Sequence, residues 1–544
     1  MPAVLARIYA ARGIISMSEL EHGFSALPSH ESLKGIAAAA ERLARAVALR
    51  EKIVIVADYD ADGATACAVG LLGLRAMGAD IDFIVPNRFE FGYGLTPEIV
   101  ALAARMSPGL IVTVDNGIAS VDGVTEAASR GIDVLITDHH LPGASLPSPA
   151  IIVNPNQPGC AFPGKHIAGV GVMFYVLFAT RARLRADGAF SGREEPNLGA
   201  LSDLVALGTV ADVVRLDQVN RIFVEQGLRR IRSGRAQPGV LALFEVAGRD
   251  AERATAFDLG FVAGPRLNAA GRLADMSLGI RCLLATGADE AVALARELDR
   301  LNRERREVEA SMREAALSDL ESVDAAAADR YSLCVYREDW HQGVVGIVAS
   351  RLKDRFHRPA IVFARGSEGE LKGSGRSIDG FHLRDALDLV AKRDTRLIAR
   401  FGGHAFAAGL TIAESALPAF IAAFEQVARE WLTPALLRQS RESDGSLPPG
   451  QLTMELAATL RGQVWGQGMP PPTFDDIFDV LDVRVVGGKH SRLTLARGGE
   501  RFAAMLFNFI DPLPARIRAA FRPEVNEWQG NASLQLTVEH WLPA

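Results

Sequence analysis

The chain has 544 residues, of which 49% are hydrophobic and 23% charged, and its formal net charge is −6. This composition predicts a soluble globular protein of about three or four domains, and the acidic balance argues against a polycation that coats nucleic acid while allowing a local basic channel. The four cysteines form no C-x-x-C pair, which argues against zinc ribbons and disulfide frameworks and favours a reducing cytoplasm. No run of 18 apolar residues predicts a membrane span, and Arg7 and Arg12 interrupt any signal-peptide core.

After a helical segment over residues 1–50, short apolar runs alternate with helical patterns as far as about Asn156. Alternation of this kind predicts βαβ units and a doubly wound, mostly parallel sheet. Ligands of such sheets bind beyond the carboxyl ends of the strands, so polar residues at those ends are candidates for function. The predicted strands are Ile53–Ala57, Ile81–Pro86, Leu110–Val114, Val134–Thr137 and Ile151–Val153.

The first predicted strand runs directly into Asp58-Tyr-Asp60-Ala-Asp62-Gly63. Three carboxylates about 4–5 Å apart would repel by roughly 3–4 kcal/mol per pair, so a cation is expected beside them. A calcium loop of the EF-hand type is excluded because its twelfth position, which needs a glutamate, is Val69, and because a strand precedes the loop. An aspartyl-phosphate enzyme, with Asp60 as nucleophile and Asp62 as its acid/base partner, remains open at this point.

Further acids and imidazoles follow other apolar runs: Asp115, the run Asp138-His139-His140, and Asp212. Each acid alone is most often a turn former or a helix cap. Their recurrence at the same edge of one sheet favours a shared metal centre, and carboxylates with one or two imidazoles suit manganese or magnesium. So many acids favour two ions about 3.5–4 Å apart, the arrangement used in phosphoester hydrolysis.

The blocks D-Y-D-A-D-G, V-D-N-G, T-D-H-H and T-V-A-D resemble, in order and in spacing, the four motifs of the DHH phosphoesterase superfamily. Later blocks extend the resemblance over nearly the whole chain to the RecJ family of bacterial exonucleases specific for single-stranded DNA. These blocks are Gly264–Leu273, Trp340–Arg351, Ser374–Ser377 and Gly402–Gly409. The aspartyl-phosphate hypothesis explains the first block only, whereas the resemblance explains all of them.

Carried over position by position, the resemblance implies which residues hold the ions. Asp60 would bind one ion, and Asp115 would bridge the two. The second ion would be bound by Asp62, His139 and Asp212.

Three further residues have roles that the resemblance leaves less defined. Superfamily phosphatases place a histidine four residues before Asp60, where this chain has Val56, so Asp58 or a water takes that ligand position. Asp138 and His140 are the acid–base candidates. We expect Asp138 to orient the ring of His139, as carboxylates do around metal-bound histidines, and His140 to face the scissile phosphate or to be a packed core histidine.

A basic segment indicates contact with the nucleic-acid backbone. Residues 351–400 contain twelve Lys/Arg against seven Asp/Glu. A charge run is usually a solvated face, but this one coincides with glycine-rich turns that can offer N–H groups to phosphates. With the resemblance, the predicted nucleic-acid-binding residues are Arg266, Asn268, Arg272, His341, Arg351, Arg376, Ser377, Gly402, Gly403 and His404.

The predicted fold is α/β, with a doubly wound DHH-type sheet joined by a long helix to a second α/β domain and followed by a small OB-like β-barrel. Aromatic residues of the barrel, Phe507, Phe509 and Trp528, are either its core or base-stacking residues. The predicted boundaries are 1–50 for the N-terminal helical segment, 51–285 for the catalytic domain, 286–325 for the connecting helix, 326–440 for the nucleic-acid-contacting domain and 450–544 for the barrel.

The sequence therefore predicts a single-strand-specific DNA exonuclease that uses two Mn²⁺ or Mg²⁺ ions per site. The 5′-to-3′ direction, the role in DNA repair and recombination, and a partnership with single-strand-binding protein are implied only by the resemblance. We expect a cytoplasmic monomer with no membrane contact. The alternatives are a phosphodiesterase of the same superfamily acting on oligonucleotides or cyclic dinucleotides, and a non-catalytic single-strand-binding scaffold like Cdc45.

Overall fold

The computed structural model describes residues 1–86, 93–321, 330–367, 369–528 and 530–544. It contains two compact units: unit 1 comprises residues 1–271, 275–299 and 442–544, and unit 2 comprises residues 272–274 and 300–441. The last residues of the predicted connecting helix, beyond residue 321, lie outside the described part of the chain, as does the side chain of Trp528. No helix in the described residues has the length and apolar character needed to cross a membrane.

The main sheet of unit 1 confirms the predicted parallel α/β fold. Its five strands are all parallel and lie in the order β2-β1-β3-β4-β5. Because β1 and β3 are neighbours, the winding direction reverses between them, and such a switch point is where sheets of this order bind ligands. The strands are β1 Lys52–Ala57, β2 Asp80–Ile84, β3 Leu110–Val114, β4 Asp133–Thr137 and β5 Ile151–Val153.

The central strands are apolar along their length because helices cover both faces of the sheet. Val54 and Val56 pack in one core cluster with residues of the helices Pro97–Ala104 and Val121–Ser129. Ile55 points to the opposite face, as the strand period of two requires, and lies near Gly70. The helices of unit 1 are Ala3–Ala11, Ile36–Leu49, Ala61–Met77, Pro97–Ala104, Val121–Ser129, Gly169–Ala186, Ser202–Ala211, Gln218–Arg232, Pro238–Val246, Ala256–Asp258 and Ser277–Leu284.

Two further helices contribute residues to both units. Gly264–Leu273 follows a π-helical turn, Leu259–Ala263. The long helix Ala288–Glu321 corresponds to the predicted connecting helix.

Unit 2 contains a second, mixed sheet in the order β6-β7-β8-β10-β9, in which only β6 and β7 pair in parallel. Alternate residues of its strand β7 enter two separate cores: Ile361 and Phe363 on one face, and Ala360 and Val362 on the other. The strands are β6 Leu333–Tyr336, β7 Ala360–Arg365, β8 Glu370–Arg376, β9 Arg400–Gly403 and β10 Ala407–Ala413, and the helices are Val345–Phe356, Leu383–Arg393 and Leu417–Trp431.

The predicted small barrel is confirmed and closes in the order β11-β12-β13-β15-β14. The parallel pairing of β13 with β15 and the closing β11–β14 pair are those of an OB-fold. Phe478 and Phe521 fill its interior, whereas Phe507 is half exposed and Phe509 packs edge-on against Trp541. The strands are β11 Phe474–Val486, β12 His490–Arg497, β13 Glu500–Leu506, β14 Arg516–Trp528 and β15 Asn531–Pro543, and the helix Met454–Arg461 precedes them. The sequence pattern predicts barrel strands at Phe478–Val486, Arg492–Ala496, Phe502–Phe509 and Leu534–Val538, but it does not predict β14.

The segment before the barrel is fastened to the N-terminal helix within unit 1. Arg12 makes a bidentate ion pair with Asp444, at 2.5 and 3.0 Å, and both side chains are only 10% exposed. Tyr9 donates a hydrogen bond to Gln463 at 2.6 Å. The sequence predicts a polar, Pro/Gly-rich linker at residues 441–450. The Arg12–Asp444 ion pair, from which water is largely excluded, anchors that linker.

Candidate active site

The acids after β1 are fixed by local backbone structure. Asp58 is buried in the turn after the strand. Asp60 caps the next helix, where its Oδ1 accepts a hydrogen bond from the Gly63 N–H at 3.0 Å. Asp62, fully buried in the first helical turn, accepts hydrogen bonds from the N–H groups of Gly169 (2.6 Å) and Val170 (2.9 Å) at the start of another helix. A helix N-terminus therefore holds this carboxylate in place.

His139 faces the other acids through Nε2. This atom lies 3.1 Å from Oδ1 of Asp115, 3.4 Å from Oδ2 of Asp212 and 3.9 Å from Oδ2 of Asp62. Asp115 follows β3 and adopts a positive φ of 63°, while Asp212 ends the helix Ser202–Ala211. The acid at 212 thus comes from a helix end and not from a strand.

The structure brings all six predicted metal-binding residues into one pocket of unit 1. The possible ligand atoms of these six residues and of His140 fall into three groups, and within each group the atoms lie no more than 4.8 Å apart. The groups are Asp62 with His139 and Asp212, Asp58 with Asp60 and Asp115, and Asp115 with His139 and His140. Asp115 and His139 each belong to two of the groups, and together they connect all three.

The electrostatics of the pocket fit bound cations. Burial, and then the charge of Asp60, raises the pKa of Asp62 to about 7 despite its two backbone hydrogen bonds. Burial, and then repulsion from Asp62, raises the pKa of Asp115 and of Asp212 well above the usual range. Oδ1 of Asp115 is buried and accepts no hydrogen bond of good geometry from the described residues. An uncompensated cluster of this kind is costly, and divalent ions would neutralise it.

Asp138 contacts the ring of His140, which differs from the predicted contact with the ring of His139. Its Oδ1 lies 2.7 Å from Nδ1 of His140 and accepts hydrogen bonds from the N–H groups of His139 (2.7 Å) and His140 (3.0 Å). Burial raises the pKa of Asp138, but the hydrogen bond to His140 helps to outweigh this effect, so that the pKa lies below its usual value. Burial lowers the pKa of His140, but the bond and charge of Asp138 outweigh it and raise that pKa to about 8.

Sequence reasoning missed three residues that shape this pocket. A Cβ on Gly169 would stand 2.7 Å from the Asp115 side chain, and one on Gly208 would stand 3.0 Å from Oδ1 of Asp62. The hydroxyl of Tyr93 donates to the Asp115 carbonyl at 3.1 Å and lies 3.2 Å from Nδ1 of His140. The available signals were the A-G-V-G run at 168–171 and the glycine inside L-G-T-V-A-D.

The predicted nucleic-acid-binding residues of unit 1 make internal contacts. Arg266 pairs with Asp299 at 2.8 Å and donates to the Val262 carbonyl. Asn268 accepts a hydrogen bond from the Ala61 N–H at 2.8 Å, which supports the first turn of the helix carrying Asp62. Asn268 therefore positions the acidic loop, whereas Arg266 is engaged by Asp299 and the Val262 carbonyl.

In unit 2, some of the predicted residues also make internal contacts. Arg351 pairs with Glu309 at 2.9 Å, Arg272 donates to the Gly343 carbonyl at 3.0 Å, and Arg376 donates to the Gly375 carbonyl at 2.8 Å. The Ser377 hydroxyl is buried and donates to the Phe381 carbonyl.

The remaining predicted residues of unit 2 are more accessible. His341 and His404 are exposed, as is Gly402, where an added Cβ would meet open space. Gly403 has a φ of +144°, and a Cβ there would clash with the Ala407 carbonyl at 2.4 Å. Gly402 and Gly403 thus end the edge strand β9, and His404 begins the turn that follows, where its N–H donates to the Ala407 carbonyl at 2.8 Å.

Part of the positive charge excess of residues 351–400 is neutralised by acidic side chains from outside this segment. Among the described residues, at least three of these cations pair with acids outside the segment: Arg351 with Glu309, Arg365 with Glu338 and Arg393 with Glu430. Net charge along the chain therefore overstates the positive potential of this surface.

Comparison with known proteins identifies three domains along the chain and relatives that match its whole length. Residues 52–209 match the DHH family N-terminal domain, residues 330–430 the DHHA1 domain and residues 443–540 the RecJ OB domain. The single-stranded-DNA-specific exonuclease RecJ of Dickeya dadantii is 49% identical over the whole chain and 96% of the relative, and that of Escherichia coli is 47% identical over the same shares.

Two solved structures are similar to this chain in fold. The crystal structure of RecJ in complex with Mn²⁺ from Thermus thermophilus superposes with a TM-score of 0.84 at 31% identity, covering 99% of this chain and 76% of that one. A crystal structure of exonuclease RecJ bound to manganese gives a TM-score of 0.62 at 35% identity, covering 75% and 97% of the two chains. On these matches and on the convergence of its acids around His139, the chain belongs to the RecJ family of DHH proteins.

Proposed function

We propose that this protein is an exonuclease specific for single-stranded DNA that hydrolyses phosphodiester bonds with two divalent ions, Mn²⁺ or Mg²⁺. The observation that carries the proposal is the buried convergence of Asp62, Asp115 and Asp212 on Nε2 of His139. Relatives named as such exonucleases, at 47–49% identity across the chain, support it.

The geometry suggests which residues hold the ions. We assign Asp62, His139 and Asp212 to one ion and Asp60 with Asp58 to the other. We assign Asp115 to both, because it shares a ligand group with Asp58 and Asp60 and its Oδ1 lies 3.1 Å from Nε2 of His139. Bound ions supply a nucleophilic water at neutral pH and neutralise charge on the reacting phosphate. The N–H groups that hold Asp62 fix the position of one ligand set before any ion binds.

Asp138 and His140 are proposed to act as a proton-transfer pair. Asp138 is fixed by the Ile118 N–H at 2.9 Å and by the N–H groups of residues 139 and 140. It engages Nδ1 of His140, so Nε2 is the nitrogen available for exchanging a proton with the substrate. The pair would protonate the leaving oxygen.

The end of strand β9 and the residue after it, Gly402–His404, are proposed to contact DNA phosphates through the glycine backbone and the exposed imidazole of His404. The barrel is proposed to guide the single strand, in keeping with its OB-fold. The 5′-to-3′ direction, the repair and recombination role, a partnership with single-strand-binding protein, a monomeric state and a cytoplasmic location are proposed from family membership.

The discriminating experiment incubates the protein and Mn²⁺ with three substrates: a long single strand labelled at either end, the matching duplex and a dinucleotide. We expect the single strand to be shortened stepwise, with nucleotides released first from its 5′ end. We expect the duplex to be degraded much more slowly. Activity confined to the dinucleotide would support the small-substrate phosphodiesterase. Binding of the long strand without shortening would support a non-catalytic scaffold.

A further inference from the structure

Two phenylalanines outside the metal pocket form an exposed aromatic pair. Phe257 is 58% exposed and Phe261 is 71% exposed, and their rings stack with centroids 4.7 Å apart at an interplanar angle of 21°. Single exposed apolar residues need no explanation, but two stacked rings with this exposure form a flat apolar surface open to solvent. Such a surface suits another flat ring system.

The backbone presents these rings rigidly. Phe257 lies in the helix Ala256–Asp258, and Thr255 caps this helix through its N–H and hydroxyl, which both donate to the Asp258 carboxylate, at 2.9 and 2.7 Å. Phe261 lies in the π-helical turn Leu259–Ala263, a feature found often at functional sites. The rings are therefore held in place before any ligand arrives.

The position of the pair relates it to the metal pocket. An added Cβ on Gly260 would stand 3.2 Å from Val210, and one on Gly264 would stand 3.1 Å from Ala211. The helical segment from Gly260 to Gly264, which carries Phe261, is thus packed against the residues that directly precede Asp212.

A residue shortly before the pair in sequence contacts the barrel. Arg253, four residues before Phe257, forms an ion pair with Glu527 of β14. Within unit 1, the rings therefore lie on the surface between the OB-fold and the candidate metal ligand Asp212.

We propose that Phe257 and Phe261 are a stacking platform for nucleobases of the single strand between the barrel and the metal pocket. This inference rests on the proposed function and adds binding residues to it. Stacking on an aromatic face tolerates any base, which is what an enzyme that moves along a strand of arbitrary sequence needs. Two rings are also far smaller than the roughly 800 Å² per partner of a stable protein interface, which favours a nucleobase over a protein partner.

The test compares two strands of equal length and charge, oligo-dT and an abasic tetrahydrofuran backbone. Binding to the full chain is measured by fluorescence anisotropy in EDTA, so that no strand is degraded. We expect Phe257→Ala/Phe261→Ala to weaken oligo-dT binding about tenfold or more, and to bind the abasic strand within a factor of two of wild type. Phe261→Trp should retain tight oligo-dT binding. Ile15→Ala, which removes an apolar side chain that is 92% exposed elsewhere in unit 1, is the matched control.

Equal weakening on both strands, or unchanged oligo-dT binding, would overturn the stacking platform. A change in oligomeric state with unchanged DNA binding would do so too, by assigning the rings to a protein interface. Melting temperatures of all variants identify any loss of fold, and the single variant Phe261→Trp keeps the test informative if the double variant unfolds. If wild type binds oligo-dT but never shortens it in Mn²⁺, the proposed function fails while the stacking result still stands.

Discussion

Replacing Gly169 by alanine tests whether the acids are held as closely as the structure indicates. The new Cβ would lie 2.7 Å from Cβ and Oδ1 of Asp115 and 2.9 Å from its Cα, where ordinary contact begins at 3.4 Å. Asp115 cannot retreat easily, because its N–H donates to the Thr137 carbonyl at 3.0 Å within the sheet. The start of the helix must therefore move away, which stretches the 2.6 Å hydrogen bond from Gly169 to Asp62.

The size of the effect follows from this displacement. Relief of the clash needs a shift of about 0.7 Å, which would lengthen the Gly169–Asp62 bond to about 3.3 Å, beyond the usual limit. Misplacement of a catalytic group by about 1 Å lowers turnover about 100-fold, or about 2.7 kcal/mol in the barrier. Overpacking costs about 1–3 kcal/mol of stability, and the better helix propensity of alanine returns about 1, so the net loss of stability is at most about 2 kcal/mol.

The assay is turnover of a labelled single strand in saturating Mn²⁺, together with thermal unfolding in Mn²⁺ and in EDTA. The matched control is Gly171→Ala in the same helix, whose Cβ would meet only side chains, at 3.2 Å from Phe223 and 3.4 Å from Ile167. We expect the control to retain turnover within about threefold, because it leaves both carboxylates in place. Gly169→Ala with turnover equal to that of the control would refute the reasoning.

Four further predictions follow from the pocket and from the barrel's attachment. Mn²⁺ at 100 times its Kd should stabilise the fold by about 2.7 kcal/mol, seen as a higher Tm that EDTA reverses; an unchanged Tm contradicts ion binding in the pocket. Asp115→Asn should abolish this rise in Tm with Mn²⁺ and lower turnover more than about 100-fold. In EDTA at pH 8, however, the same variant should have a higher Tm than wild type. The reason is that the folded-state pKa of Asp115 is raised, so its ionised form destabilises the ion-free fold, and the gain should shrink as the pH falls. His404→Ala should raise KM for the single strand about tenfold with bound manganese unchanged; loss of manganese would reassign His404 as a ligand. Arg12→Met should leave Asp444 buried without its charge partner and weaken the attachment of the linker by about 3 kcal/mol. The expected result is faster proteolysis at residues 441–450. The control Arg7→Met removes only an exposed hydrogen bond and should be cleaved at the rate of wild type.

The sequence by itself determined the parallel sheet and most of the acidic pocket. Strand ends are local signals, so an apolar run followed by Asp58, Asp115 or Asp138 already places each acid at the carboxyl edge of the sheet. The barrel was visible for the same reason, because its short strands alternate between glycine turns. The strand β14, which contains Pro523 and several charges, lacked that regular pattern and was missed.

Only the tertiary structure decided which partner each polar side chain takes. It brought Asp212 to the pocket from a helix end and placed Asp138 against the ring of His140. It also gave Asp62 two hydrogen-bond donors, the N–H groups of Gly169 and Val170, which are 107 and 108 positions away in the sequence. It also committed Arg266 and Asn268 to internal contacts that their motif does not reveal. The physical reason is that hydrogen bonds and ion pairs act over about 3 Å between atoms that chain folding brings together, so sequence patterns can locate donors and acceptors but cannot assign their partners.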